Sequence, residues 1–190
     1  RSLSEHFNAT KICVVGCSSS IRPEEFLNIP GVNVVSGNNG KLFAVKELLN
    51  GKTGLILSKK NTRNEKFEED IKISNFGKEC RAFVKIQDGC DNFCSYCIIP
   101  RTRGNSRSRS HEEIIEEVKR LYKSDYRELV ITGIDMGSYE DPNDDEYKLD
   151  DLIEDIIINT PDGYRIRISS LETSQMTQKL LDLFINHSDK

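Results

Sequence analysis

The sequence predicts an α/β fold in two parts: a partial amino-terminal domain with a doubly wound parallel sheet, then the first half of a (β/α) barrel. Three observations carry this reading. Short apolar runs alternate with helix-period runs across residues 11–57. A polar stretch without periodicity occupies residues 58–79, and from Arg81 onward three strand-then-helix units follow in series. The expected domains are 1–77 and 78–190, with the boundary near 75–80.

Each element has its own signal. Ile12–Val15 reads as a strand that enters a small-residue loop, Gly16 to Ser20, containing Cys17. Pro23–Asn28 reads as a short helix and Val32–Val35 as a second strand. Leu42, Val45, Leu48 and Leu49 recur at helical spacing over Lys41–Leu49. The run Lys59 to Lys66 reads as a linker or exposed loop. Ala82–Gln87 is the first barrel strand and delivers the chain into a cysteine-rich loop. His111–Lys123 follows as a helix with Ile114, Ile115, Val118 and Leu121 along one face; Ser110 suits the N-cap, and Glu112 and Glu113 suit the first turn. Glu128–Thr132 is the next strand and enters a turn containing Gly133 and Gly137. Leu149–Ile158 is a helix, Arg165–Ser169 the third strand and Thr177–Ile185 the third helix. Sites of such barrels are built on the loops that follow the strands, which directs attention to the cysteine loop and the Gly133 turn.

Composition narrows the class. Of 190 residues, 31% are charged and 36% hydrophobic, enough apolar surface for a core in a polar chain. No apolar run approaches the ~18 residues that a membrane span needs, and no signal-peptide pattern is present. The six cysteines cluster unevenly, which argues against a disulfide framework and for a reducing, cytoplasmic setting with thiolates reserved for metal. Arg1 at the start, and Lys190 directly after a predicted helix, lead us to expect a piece of a longer protein. The net charge of −4 conceals segregation. Residues 101–109 hold four arginines and no acid, whereas residues 140–155 hold nine acids and one lysine.

Cys90, Cys94 and Cys97 form a CxxxCxxC run with Tyr96 just before the last cysteine. Three thiolates on a tight loop can hold three corners of a 4Fe–4S cube and leave the fourth iron open to a reactant, since a closed cluster normally takes four cysteines. The competing reading is structural zinc, with Cys80 or His111 as a fourth ligand. The three-then-two spacing, the position after a barrel strand and the flat face of Tyr96, suited to a purine, favour the cluster. Cys13 lies on a strand and reads as packing.

The stretch KIQDGCDNFCSYCIIP at residues 85–100 resembles the signature of the radical S-adenosylmethionine (SAM) methylthiotransferases. So do RGNSRSR at 103–109 and LVITGIDMGSY at 129–139, while RIRISSLETSQ at 165–175 is most similar to the branch acting on threonylcarbamoyl-adenosine in tRNA. The resemblance implies a radical SAM barrel in which Cys90, Cys94 and Cys97 hold a 4Fe–4S cluster that chelates SAM. Electron transfer to SAM would then release a 5′-deoxyadenosyl radical. It implies SAM contacts at Tyr96 and at the backbone of Thr132 and Gly133, where a glycine permits close approach. Val14-Val15-Gly16-Cys17 resembles the family's amino-terminal run, which implies that Cys17 is one ligand of an auxiliary 4Fe–4S cluster whose other ligands lie outside the chain. A tRNA anticodon loop and an electron donor such as flavodoxin or ferredoxin are the implied partners, with no membrane.

Arg101, Arg103, Arg107 and Arg109 follow the cysteine loop directly and suit phosphate contacts to RNA, although a charge run is more often a solvated face. The acidic loop 140–147 is expected to face away from RNA. The leading expectation is methylthio transfer to threonylcarbamoyl-adenosine beside the anticodon, with the 190-residue piece inactive alone. The alternatives are the same chemistry on isopentenyl-adenosine or a ribosomal protein aspartate, and a non-catalytic zinc-stabilised RNA-binding module.

Overall fold

A computed structural model describes residues 11–38, 40–56, 80–124 and 126–190. The linker expected at Lys59 to Lys66 lies outside the described residues, as does most of the 75–80 boundary. The chain divides into two compact units. One holds the described residues up to Ile56 together with Cys90–Asn105; the other holds Cys80–Gly89 and Ser106–Lys190.

The first unit is built on β1 (Ile12–Val14), β2 (Val32–Val35) and β3 (Gly54–Leu55), parallel in the order β1-β2-β3. Between them run α1 (Cys17–Ile21), α2 (Pro23–Leu27) and α3 (Lys41–Leu49). Val34, Ala44 and Leu48 form the core, with Cys13 and Ile56 packed against it. Burial raises the Cys13 thiol pKa, which suits the packing role expected of it. The small-residue stretch expected to be a loop is instead helical from Cys17. The hydroxyls of Ser19 and Ser20 bond back to the Gly16 carbonyl, and Ser19 also donates to Ser36 O at 2.6 Å.

The second unit carries a parallel sheet of β4 (Arg81–Lys85), β7 (Glu128–Thr132) and β10 (Arg165–Ile168), in the order β10-β7-β4. Phe83 pairs with Val130, and Val130 with Arg167. Two strand-to-helix crossovers join these strands through α5 (His111–Lys123) and α6 (Leu149–Ile158), and α7 (Gln178–Asn186) follows β10. The apolar stripe of α5 buries Ile114, Val118 and Leu121 in the same core as Ala82, Leu129 and Leu152. Each such side chain contributes about 1.5–3 kcal/mol. Ser110 caps α5 by accepting from Glu113 N.

Two details depart from the sequence reading. The strand expected to run through Gln87 stops at Lys85. After Ile86 the chain changes partner, and β5 (Gln87–Asp88) pairs antiparallel with β6 (Arg107–Ser108). The acidic stretch expected to be a loop is a hairpin of β8 (Glu140–Asp141) and β9 (Asp144–Lys148). Its turn is held by Asn143 N donating to Asp141 Oδ1 at 2.8 Å.

Candidate functional site

In the first unit, Cys94 is exposed, and Cys90 and Cys97 are half-buried. The loop is closed at its base by Cys90 N donating to Gly104 O at 3.2 Å, and Cys97 N donates to Cys94 O at 2.9 Å. Asn92 N donates to Cys90 Sγ at 3.4 Å. Phe93 holds φ at +47°, a left-handed conformation that is costly for a bulky residue, and it sits between the first two cysteines. Tyr96 is 90% exposed.

Pro100 stands in the first turn of α4 (Ile99–Arg103), and Gly104 ends the helix at φ +84°. Helix α1, which opens on Cys17, lies against α4 within the same unit. The fold therefore brings the segment carrying Cys17 beside the helix that follows the cysteine loop.

The second unit holds both stems of that loop and the turn after β7. Gln87 is fully buried. Its Nε2 donates to Gly89 O at 2.8 Å and Ser106 Oγ at 2.9 Å, and its Oε1 accepts from Ile134 N at 3.0 Å and Asp135 N at 2.9 Å. Asp88, also buried, accepts from Gly89 N and lies 2.9 Å from Lys85 Nζ and 3.6 Å from Arg107 Nη2. Thr132 and Gly133 are half-buried, and the Thr132 carbonyl accepts from Ile86 N at 2.9 Å. A Cβ on Gly133 would meet Met136 Cγ at 2.7 Å and the Gln87 side chain at 3.2–3.3 Å, so close packing demands glycine there.

The four arginines do not form one patch. Arg101 is exposed and Arg103 half-buried, both on α4 of the first unit. Arg107 and Arg109 belong to the second unit and turn toward its carboxylates. Arg109 is buried, with Nη1 donating to Glu117 Oε2 at 2.6 Å and to Lys85 O at 2.9 Å, so it is not presented to a ligand.

His111, the candidate fourth zinc ligand, is engaged elsewhere. Its Nδ1 lies 2.9 Å from Asp141 Oδ2, and its ring stacks on Tyr147 at 4.5 Å. Among the described residues, His111, Glu112 and Asp141 are the one set of three metal-ligating side chains whose ligand atoms lie within 4.8 Å of one another. The three loop thiols do not form such a set.

Sequence reasoning missed Gln87, Asp88, Glu117 and Asp141. Only Gln87 and Asp88 left a trace, as polar residues at the end of an otherwise apolar strand.

A loop offering three thiols, set after the first strand of a parallel βα series, is the arrangement expected of the radical SAM class. Comparison with known proteins agrees: residues 84–188 match the model of the radical SAM superfamily, and the chain belongs to that family. Membership implies SAM and a 4Fe–4S cluster. The chain is 37% identical to threonylcarbamoyladenosine tRNA methylthiotransferase of Bacillus subtilis, over 94% of this chain and 40% of that protein. The enzyme of the same name from Thermotoga maritima is 32% identical over 97% of the chain and 41% of its own length. A tRNA-2-methylthio-N(6)-dimethylallyladenosine synthase of Staphylococcus haemolyticus is 43% identical, over 54% of the chain and 20% of that protein. The chain thus spans about 40% of the length of the relatives that it matches from end to end.

Proposed function

We propose that the chain is the part of a radical SAM tRNA methylthiotransferase that holds the SAM-binding cluster, acting on threonylcarbamoyl-adenosine beside the anticodon. The observation that carries the proposal is the CxxxCxxC loop of Cys90, Cys94 and Cys97 within a chain that resembles the threonylcarbamoyladenosine enzymes along nearly its whole length. Cys90, Cys94 and Cys97 are the cluster ligands in this reading. The donor set fits: three thiols on one loop, with a backbone N–H directed at one of the sulfurs. When bound, the cluster supplies the electron that converts SAM into a radical able to take an unreactive aromatic hydrogen, which acid–base chemistry cannot remove.

The chain's own residues bind and orient. Asn92 N–H donates to Cys90 Sγ, and the exposed Cys94 leaves the loop accessible to the cluster. Tyr96, an exposed aromatic on the loop, is the stacking partner for the adenine of SAM in this reading. The Thr132–Gly133 turn approaches the amino-acid end of SAM with backbone alone. Arg101 and Arg103 on α4 meet phosphates of the anticodon loop, whereas Arg107 and Arg109 hold the scaffold. Cys17 serves an auxiliary cluster completed by ligands elsewhere in the protein, and a small electron-transfer protein of the flavodoxin or ferredoxin type delivers the electron.

The match of residues 84–188 to the radical SAM superfamily speaks against the zinc module. The 43% identity to a dimethylallyladenosine synthase keeps a second substrate in view, an isopentenyl-type adenosine.

Nucleoside analysis of tRNA from cells lacking the full-length gene separates the two substrates. Loss of the methylthio group from threonylcarbamoyl-adenosine alone is the expected result; its full retention would refute the substrate assignment.

A further inference from the structure

We infer that Gln87 is the positioning residue that locks the two stems of the cysteine loop to the turn after β7, and so sets the turn that meets SAM. The inference rests on the cysteine loop and the Gly133 turn being the cofactor site.

A carboxamide has two N–H donors and two carbonyl lone pairs. In Gln87 all are engaged. Oε1 receives the backbone N–H groups of Ile134 and Asp135, and Nε2 faces Gly89 O, Ser106 Oγ and Asp88 O, the last at 3.2 Å. A buried amide saturated in this way acts on its neighbours, because none of them can shift without leaving a buried polar group unpaired.

The identity of those neighbours gives the side chain its role. Asp88 and Gly89 are the last residues before Cys90, and Ser106 stands just beyond Asn105, where the chain re-enters the second unit. Ile134 and Asp135 are the two residues after Gly133. One side chain thus joins three backbone segments separated by 19 to 48 positions.

Two further contacts support the same register. Ser106 Oγ lies 2.9 Å from Ser138 Oγ, and Ser138 donates to Asp135 O at 2.8 Å, forming a second link from stem to turn. Gly133 is packed so closely on Gln87 that a Cβ there would press on the amide. The glycine therefore makes room for the lock as well as for a ligand. SAM held at a backbone turn needs that turn in place, and an error of about 1 Å in such a geometry costs on the order of 10²-fold.

The test uses the full-length protein, reconstituted anaerobically, as parent, Gln87→Met and Gln87→Glu. Methionine keeps the volume and removes every hydrogen bond; ionised glutamate keeps the acceptor for Ile134 and Asp135 but loses the donors to the stems. Two quantities are read: SAM affinity, from the change SAM causes in the cluster's spectrum, and amide hydrogen exchange at Ile134 and Asp135 in the metal-free protein.

For Gln87→Met we expect unchanged iron content, rapid exchange at both amides, and SAM affinity weakened at least about tenfold. For Gln87→Glu we expect retained protection at both amides with weakened SAM affinity. Parental SAM affinity in the iron-loaded fraction of either variant would overturn the inference, even if melting temperature fell. Should Gln87→Met fail to fold, Gln87→Glu alone decides. A parent protein that binds no SAM would instead overturn the functional reading beneath it.

Discussion

Arg109 Nη1 donates to Glu117 Oε2 across 2.6 Å inside the second unit, and both residues are buried. The pair joins the strand that closes the cysteine loop to the middle of α5. Breaking a buried ion pair by removing one partner costs up to about 3–5 kcal/mol, and less for loss of Arg109, since Arg120 Nη2 remains 3.6 Å from Glu117 Oε1. Arg109→Met is therefore expected to lower the denaturant midpoint, with Glu117→Gln acting in the same direction. Urea unfolding of the two single variants and the double variant checks this, and the double variant should lose less than the sum of the singles.

Arg101 should behave in the opposite way. It is exposed on α4, so Arg101→Ala is expected to leave the melting temperature unchanged and to weaken tRNA binding. The slope of log affinity against log salt should fall by about one unit if one phosphate contact is lost. Filter binding of full-length protein across a salt series measures it.

Asp141 predicts a stability change in acid. Burial pushes its carboxyl pKa up, but hydrogen bonds from the backbone N–H groups of His111 and Asn143 and from the His111 ring outweigh this and hold it below the usual carboxylate range. A folded-state pKa below the unfolded value of about 3.9 stabilises the fold above that pH. The contribution is lost as pH falls through the folded value. Asp141→Asn should be less stable than the parent at pH ~7, and the gap should close below pH ~4. Thermal melts at stepped pH report the difference.

Tyr122 gives the alkaline counterpart. Burial raises its phenol to about 12, although its hydrogen bond with Thr160 Oγ1 at 2.9 Å acts the other way. The unfolded phenol ionises near ~10, so stability falls as pH rises from there toward the folded value. Tyr122→Phe should cost about 1 kcal/mol at neutral pH and flatten the alkaline decline. Parallel unfolding curves above pH ~9 for the two proteins would contradict it.

The parallel sheets and their helices were legible because burial imposes periodicity. Ile114, Val118 and Leu121 recur at helical spacing and all face the core, and the short apolar strands β4 and β7 lie side by side. Helix α1 was not legible, since four small side chains and a single isoleucine carry no apolar period. The hairpin at Glu140–Lys148 was hidden by its charge, because its turn depends on the Asp141 side chain. At the site, the cysteine triplet is local in sequence and therefore visible. The Gln87 network and the Arg109–Glu117 pair are not, because Ser106, Ile134 and Asp135 stand 19 to 48 positions from Gln87, and Glu117 stands 8 from Arg109. Four arginines in nine residues suggested one surface, yet α4 and β6 belong to different units.

The central claim is that Cys90, Cys94 and Cys97 hold a 4Fe–4S cluster with an iron open to SAM. The most direct measurement is electron paramagnetic resonance of the anaerobically reconstituted, reduced full-length protein, with and without SAM, beside a variant in which these three cysteines are serine. The account predicts a cluster signal that SAM perturbs in the parent, and loss of the SAM-responsive signal, with about four fewer irons per chain, in the variant. A colourless parent that carries one tightly bound zinc, or a cluster signal indifferent to SAM, would contradict it.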